Sequence, residues 1–166
     1  MVYALGHVSG AHMNPVVSIV FTLNQQLAPK QLLPYIISQV AGAIAASAVL
    51  RALFPANALL GTTLPAGSAM QSFILETILT FILLLVVLLL SNGTDAQKMF
   101  GGMAVGAVVA LEALFAGPVC GASMNPTRSL APALISGHTE YLWIYLIAPS
   151  VGGLLALLVY KVLKNK

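Results

Sequence analysis

The sequence predicts an all-α membrane protein, a bundle of spanning helices with two short helices that enter the bilayer and return to the same side. Hydrophobic residues make up 59% of the 166 residues and charged residues 7%, whereas a soluble domain carries roughly 25% charged residues. Four apolar segments approach the ~20 residues that cross a bilayer. One Asn-Pro phrase occurs twice, as SGAHMNPVVS at residues 9–18 and CGASMNPTRS at residues 120–129.

The four predicted spanning helices cover residues 31–54, 69–91, 99–116 and 141–163. Any one of them could instead be a buried helix of a soluble protein, but four in so short a chain favour a membrane. The Pro- and Gly-rich stretch 55–67 predicts a loop, and the polar stretch 91–98 predicts a turn. Small residues let membrane helices approach closely, so packing is the expected role of the helical glycines, namely Gly42, Gly102, Gly106, Gly152 and Gly153.

Several functional classes lack support in the sequence. There is no basic patch with interleaved aromatic residues, so no nucleic-acid partner is expected. The single cysteine, Cys120, excludes an internal disulfide and a multi-cysteine metal site. No nucleophile–base pair, carboxylate pair or phosphate-binding loop is visible, so we expect no enzyme activity and no cofactor. The histidines form no metal-ligand set, and His12 and Cys120 are expected to pack the loops.

Two apolar segments are too short to span, residues 15–25 and residues 126–136. At 1.5 Å per residue each covers roughly 16 Å, about half of a hydrocarbon core of ~30 Å. Each begins at an Asn-Pro turn and each is followed by a full-length span. Paired interrupted segments of this kind indicate a site near the bilayer midplane.

The Asn-Pro turns predict a specific local chemistry. Asn14 and Asn125 are expected to cap the two short helices through their side-chain oxygens, with Pro15 and Pro126 at the favoured first helical position. The amide NH₂ groups then remain as donors, beside helix N-termini that each carry about half a positive charge. Non-helical backbone at membrane depth requires protein or water partners. The residues before each Asn should therefore offer carbonyls to a water-filled path: Gly10, Ala11, His12, Met13, Gly121, Ala122, Ser123 and Met124.

Arg128 lies three residues after Asn125, in an apolar half-helix where a charge costs several kcal/mol. It could extend to the membrane interface. Alternatively it lines the path, where it would donate to passing solutes and repel cations, and together with the half-helix dipoles hinder protons.

These residues resemble the paired signature of the aquaporin, or major intrinsic protein, family. The two copies are written here as Asn14-Pro15-Val16 and Asn125-Pro126-Thr127. The context FAGPVCGASMNPTRSLAPALISGH at residues 115–138, with Tyr145-Leu146, is similar to the nodulin-26-like branch and its bacterial relatives. The resemblance implies an aquaporin-like bundle that lacks the first family helix and most of the second. It also implies a passive channel for water and small uncharged solutes, such as glycerol, urea and boric or arsenous acid, that works as a homotetramer.

The resemblance also implies roles for individual residues. Arg128, Ala113 and Ala122 match positions of the family's selectivity constriction. Glu76 matches the glutamate that braces the second re-entrant loop. Ser129 and Ala133 stand where glycerol facilitators tend to have Asp and a basic residue, which disfavours a dedicated glycerol channel.

Three residues depart from the family pattern or stand beside it. Val16 and Thr127 replace the usual alanines, and we expect them to alter the packing of the turns without touching the Asn donors. Glu112, next to Ala113 but about 100° away around the helix, is expected to bond protein backbone or a neighbouring subunit rather than face the pore.

The family pattern also predicts how the chain is divided. We expect a single partial channel domain over residues 1–166, with residues 1–54 as the remainder of a first repeat and residues 69–166 as a complete second repeat. Met1 resembles an internal methionine of the second family helix. An in-frame upstream extension encoding two more spans is therefore expected, and without it an unstable or non-conducting product.

Charge predicts the orientation of a multi-pass protein in a plasma or cell membrane. With both short segments returning to their own side, one face collects Lys30, Lys98 and the lysines of the C-terminus, and this excess marks the cytoplasmic side. Two other hypotheses stay open. Discontinuous helices also occur in ion-coupled transporters, and a chain could assemble with partners without conducting.

Overall fold

The computed structural model describes residues 1–164, and every regular element in that range is an α-helix. The prediction of an all-α protein is confirmed. The helices, in chain order, are α1 (Val2–Ser9), α2 (Pro15–Leu23), α3 (Pro29–Leu53), α4 (Ala69–Ser91), α5 (Asp95–Cys120), α6 (Pro126–Ser136) and α7 (Leu142–Lys164).

Four of these helices, α3, α4, α5 and α7, are long and apolar enough to cross a membrane. Their lengths lie between 23 and 26 residues, which at 1.5 Å per residue gives at least about 34 Å. That exceeds a hydrocarbon core of ~30 Å. The four spans expected from the sequence are therefore confirmed, and α2 and α6, with 9 and 11 residues, are too short to span.

Helix α5 is longer at both ends than the predicted span of residues 99–116. Its start was read as part of a polar turn, but Thr94 and Gln97 form a capping box in which each side chain bonds the other residue's backbone N–H. Such a box satisfies two of the orphan donors of a helix N-terminus, so the polar residues from Asp95 onward are helical. The helix ends at Cys120, and its C-cap residue Gly121 adopts φ +88°.

The core lies where α4 packs against α7 and α5, with α2 closing one side. Gly152 allows the closest approach, because a Cβ there would overlap the Thr77 carbonyl oxygen and the Phe81 nitrogen of α4. Gly153 makes room for Val16 of α2 in the same way.

The expected packing role of the other helical glycines holds only in part. Gly102 faces the ring of Tyr3, which would lie 3.0 Å from an added Cβ. A Cβ at Gly42 or Gly106 would meet no atom within 4 Å among the described residues. These two glycines lie on open helix faces.

Large apolar side chains cover the outside of the bundle. Leu114 of α5 is 78% exposed and Leu33 of α3 is 65% exposed. Contiguous apolar surface of this kind is unfavourable in water and is what a lipid-facing surface requires. The exposed faces thus agree with the membrane class inferred from composition.

Candidate functional site

The two short helices begin at asparagine caps, as the sequence predicts. Asn14 Oδ1 accepts a hydrogen bond from the Val16 N–H at 3.0 Å. Asn125 Oδ1 accepts from the Thr127 N–H at 3.1 Å and the Arg128 N–H at 3.4 Å. Both Asn residues have extended backbones, and a proline follows each at the first helical position.

The asparagine NH₂ groups join the two turns to each other. Asn14 Nδ2 donates to the Met124 carbonyl at 2.7 Å, and Asn125 Nδ2 donates to the Met13 carbonyl at 2.8 Å. The sequence predicts that these NH₂ groups remain as donors, but not that they bond the opposite turn. Because an amide has two N–H donors, each Asn keeps one after the cross-bond is made. Two helix N-termini with their partial positive charges thus meet at one point.

The backbone before each asparagine adopts unusual conformations. Gly10 and Gly121, at the ends of α1 and α5, have φ of +65° and +88°. The following Ala11 and Ala122 also have positive φ, +51° and +42°, a region that residues with a Cβ seldom occupy. Strain of this kind persists only where the surroundings over-determine the conformation, and it concentrates at functional sites. The two turns share this geometry at equivalent positions.

Glu76 of α4 holds the second turn from behind. Its side chain is fully buried, and its two carboxylate oxygens accept from the N–H groups of Ser123 and Met124 at 2.7 and 2.8 Å. Tyr145 of α7, also fully buried, donates its hydroxyl to the Cys120 carbonyl at 2.8 Å, just before the turn. With the amide groups of the turn engaged on this side, its carbonyls are left for other partners.

The first turn is held by α3 and by aromatic contacts. Gln39 donates its amide N–H to the His12 carbonyl and to Ser18 Oγ. The His12 ring meets the rings of Phe21 and Tyr35 edge-on, at centroid distances of 4.7 and 5.4 Å. His12 therefore packs the loop as expected, and Cys120 does so at the second turn, where it is fully buried.

A cavity of about 730 Å³ brings the predicted site residues together. Both turns line it, over residues 10–14 and 121–125, and so do Ala113 of α5 and Arg128 of α6. A second cavity of about 380 Å³ shares His12, Met13, Asn125 and Arg128 with the first. Glu76 lines neither cavity.

Arg128 lies in this space rather than away from it. Its side chain lines both cavities, and Nη1 donates to the Gly61 carbonyl at 2.7 Å. Gly61 belongs to the segment between α3 and α4, which the sequence identified only as a loop. This geometry matches the path-lining alternative for Arg128.

The two residues that replace the usual alanines occupy different surroundings. Val16 is 1% exposed and packs against Gly153. Thr127 is buried beside the second cavity, and its hydroxyl has no hydrogen-bond partner among residues 1–164. The Nδ2 donors of both adjacent Asn residues still make their cross-bonds to the opposite turn.

Glu112 differs from expectation. Its side chain is 2% exposed, and neither carboxylate oxygen has a hydrogen-bond partner in the described part of the chain. It shares a helix face with Ala116 and Cys120, both in the core, so it points into the bundle. The expected bond to protein backbone is absent there, whereas Glu112 lines neither cavity, in agreement with the expectation that it does not face the pore.

Apart from Glu76, the sequence did not identify the residues that hold the turns from a distance. Tyr145, Gln39 and Gly61 act through contacts with residues 25 or more positions away. Only Gln39 gave a local signal, as a polar side chain within an apolar span. The hydroxyl of Thr63, which bonds Ser129, gave none.

Comparisons with known proteins agree on one family. A family model described as "Major intrinsic protein" matches residues 1–160. The chain is 41% identical to nodulin-26 of Glycine max and 42% identical to aquaporin NIP1-1 of Zea mays, over 99% of its own length in each case. It spans 61% and 58% of the length of those two relatives. The X-ray structure of the aquaglyceroporin from Plasmodium falciparum superposes with a TM-score of 0.81 at 25% identity, covering 93% of this chain and 73% of that one.

Proposed function

Because the chain belongs to the major intrinsic protein family and is an integral membrane protein, we propose that it forms a passive transmembrane channel for water and small uncharged solutes. The observation that carries this proposal is the pair of cross-bonds between the turns, from Asn14 to Met124 and from Asn125 to Met13. They hold two helix N-termini together at the wall of one cavity. Membership of a family of channels also supports the expectation that the chain is not an enzyme.

The chemistry of the cavity suits neutral hydrogen-bonding molecules. Each Asn retains one N–H donor, and the turns contribute carbonyl acceptors from residues 10–13 and 121–124. An unpaired charge would have to leave water for an apolar enclosure at a cost of several kcal/mol. Arg128 adds a fixed positive charge, which repels cations.

The side chains at the constriction favour solutes larger than water. Ala113 and Ala122 are small, and Ala113 is exposed to the cavity. We propose that glycerol, urea and undissociated boric or arsenous acid can pass. The relative with a solved structure is named an aquaglyceroporin, which fits this solute class.

We further propose the assembly and the orientation that the family pattern suggests. The channel works in the plasma or cell membrane as a homotetramer, with residues 1–54 as the remainder of its first repeat and residues 69–166 as its second repeat. Lys30 at the start of α3 and Lys98 near the start of α5 lie on the cytoplasmic side, as does the C-terminal end of α7.

Flux measurements on proteoliposomes test the proposal. Light scattering would follow the response of the chain, reconstituted together with the two upstream spans that the family pattern predicts, to gradients of water, glycerol, urea and boric acid, with empty liposomes as the control. We expect flux down each gradient that does not depend on sodium or proton gradients. Flux that requires an ion gradient would indicate a coupled transporter, and a folded chain without flux would indicate a non-conducting product.

A further inference from the structure

The segment between α3 and α4, residues 54–68, packs directly on the second turn. Its Ala66 N–H donates to the Val119 carbonyl at 3.0 Å, and its Gly61 carbonyl accepts from Arg128. Between these contacts Thr63 is 5% exposed. A hydroxyl buried to this extent is stable only if it is hydrogen-bonded.

Thr63 begins a chain of buried hydroxyl groups that ends at the asparagine turn. Thr63 Oγ1 donates to Ser129 Oγ at 2.7 Å, Ser129 Oγ lies 2.6 Å from Ser123 Oγ, and Ser123 Oγ donates to the Asn125 carbonyl at 2.9 Å. A hydroxyl group has one proton to donate. Since Ser123 gives its proton to Asn125, Ser129 must donate to Ser123, and Thr63 must donate to Ser129.

The direction of this chain makes Thr63 its origin. Each of the three hydroxyls donates once, and Ser129 and Ser123 also accept, so the proton order is fixed from Thr63 to the Asn125 carbonyl. Ser123 Oγ also accepts from the Asn125 N–H at 3.4 Å. The backbone of Asn125 is thus held at both its carbonyl and its N–H by one serine, whose orientation depends on the next two hydroxyls.

The methyl group of Thr63 has a second contact with the turn. It lies over Gly121, where an added Cβ would come within 2.9 Å of Thr63 Cγ2. Gly121 begins the turn with φ +88°. Thr63 therefore contacts the start of the turn through its methyl group, and its hydroxyl is linked to the Asn125 carbonyl at the end of the turn through Ser129 and Ser123.

We propose that Thr63 is a positioning residue of the second turn, which through Ser129 and Ser123 sets the direction in which Asn125 and Arg128 present their donors. This proposal rests on the channel function proposed above, because the readout is selectivity. Breaking the hydrogen bonds between these hydroxyl groups should let the turn move and so weaken discrimination between glycerol and water.

The test compares three variants of the chain. Thr63→Val keeps the methyl contact and the volume but removes the hydroxyl, and Thr63→Ser keeps the hydroxyl. Thr62→Val is the matched control, because Thr62 bonds Leu59 and Ser136 at the far end of α6 and not the turn. The readouts are hydrogen exchange at the Asn125 and Ser129 amides, and the ratio of glycerol to water permeability in proteoliposomes.

In Thr63→Val we expect both amides to exchange about fivefold faster, the effect of one lost hydrogen bond in a buried network, and the permeability ratio to rise by a similar factor. Thr63→Ser and Thr62→Val should match the parent in both. If Thr63→Val does not fold, Ser129→Ala takes its place, because it interrupts the same row of hydroxyl hydrogen bonds.

Unchanged exchange in Thr63→Val, or an equal change in Thr62→Val, would overturn the proposal. Faster exchange with an unchanged permeability ratio would also overturn it, because the hydroxyl chain would then stabilise the turn without affecting selectivity. If the parent passes neither solute, the channel function fails, and the exchange comparison alone decides whether Thr63 orders the turn.

Discussion

At the scale of single residues, the side chain of each Asn-Pro asparagine makes two kinds of hydrogen bond. The oxygen of Asn14 caps its own helix, while the nitrogen bonds the Met124 carbonyl of the opposite turn. Asn125 does the same toward Met13. A cap contributes about 1 kcal/mol, and a buried hydrogen bond about the same. The asparagines therefore fix both the start of each half-helix and the distance between the two.

Replacing Asn14 should separate these two contributions. We expect Asn14→Ala to lower the free energy of unfolding by about 2 kcal/mol, because both the cap and the cross-bond are lost. Asn14→Asp keeps the cap but sets an acceptor against the Met124 carbonyl, so it should also destabilise. Denaturant unfolding in detergent measures both, with Asn24→Ala, at the exposed end of the same helix, as the control. An Asn14→Asp chain as stable as the parent would show that the cross-bond contributes nothing.

The two buried glutamates should respond differently to neutralisation. Glu76→Gln leaves one turn N–H facing an NH₂ group, so it should cost about 1–3 kcal/mol of unfolding free energy. Glu112→Gln removes a carboxylate with no hydrogen-bond partner among residues 1–164, and a buried unpaired acid is unfavourable. We expect it to leave thermal stability unchanged or raised. A larger loss in Glu112→Gln than in Glu76→Gln would mean that Glu112 has a structural partner.

Arg128 should control the exclusion of charge. Arg128→Ala removes the fixed cation that lines both cavities, so protons or cations excluded by the parent are expected to pass. Proton flux into vesicles loaded with a pH-sensitive dye measures this. Arg51→Ala is a suitable comparison, because Arg51 bonds the Ile135 carbonyl and lines neither cavity. Unchanged exclusion in Arg128→Ala would assign charge selection to another group.

At the scale of secondary-structure elements, features that depend on local sequence were predicted better than features that depend on long-range contacts. The spans and both half-helices followed from apolar length and from Asn-Pro, because capping and hydropathy are local properties. The start of α5 was missed because Asp95 and its polar neighbours suggested a turn, although Thr94 and Gln97 carry a capping box. The contact of Gly61 with Arg128 could not be predicted, because it joins segments 67 positions apart.

The contact between α4 and α7 depends on a glycine. In Gly152→Ala the new methyl overlaps the Thr77 carbonyl and the Phe81 nitrogen, so the helices must separate, and overpacking of this kind typically costs about 1–3 kcal/mol. Gly106→Ala is the control, since its new methyl meets no atom within 4 Å and alanine is the better helix former. Thermal unfolding in detergent should show a loss for the first and none for the second. Equal stability of the two variants would contradict the close packing of α4 on α7.

At the scale of the whole molecule, four apolar helices surround two half-helices whose N-termini are bonded to each other. The outside is apolar, with residues such as Leu114 exposed, while the cavity collects amide donors, backbone carbonyls and one guanidinium. This inverts the arrangement of a soluble protein, because the solvent outside is lipid and these polar groups face an internal cavity. The family and the fold were predictable from the repeated motif. Of the bonds that hold the turns, the resemblance implied only those of Glu76, because the others depend on the tertiary arrangement of distant segments.

The most direct test of the central claim is the osmotic water permeability of proteoliposomes that contain this chain together with the two upstream spans that the family pattern predicts, measured by stopped-flow light scattering without any ion gradient. A continuous polar path predicts permeability above that of empty liposomes and a lower activation energy than water has when it crosses lipid. Asn14→Asp, which disrupts the bond between the two turns, should reduce this permeability. Permeability equal to that of empty liposomes, from a chain shown to be folded and inserted, would contradict the account.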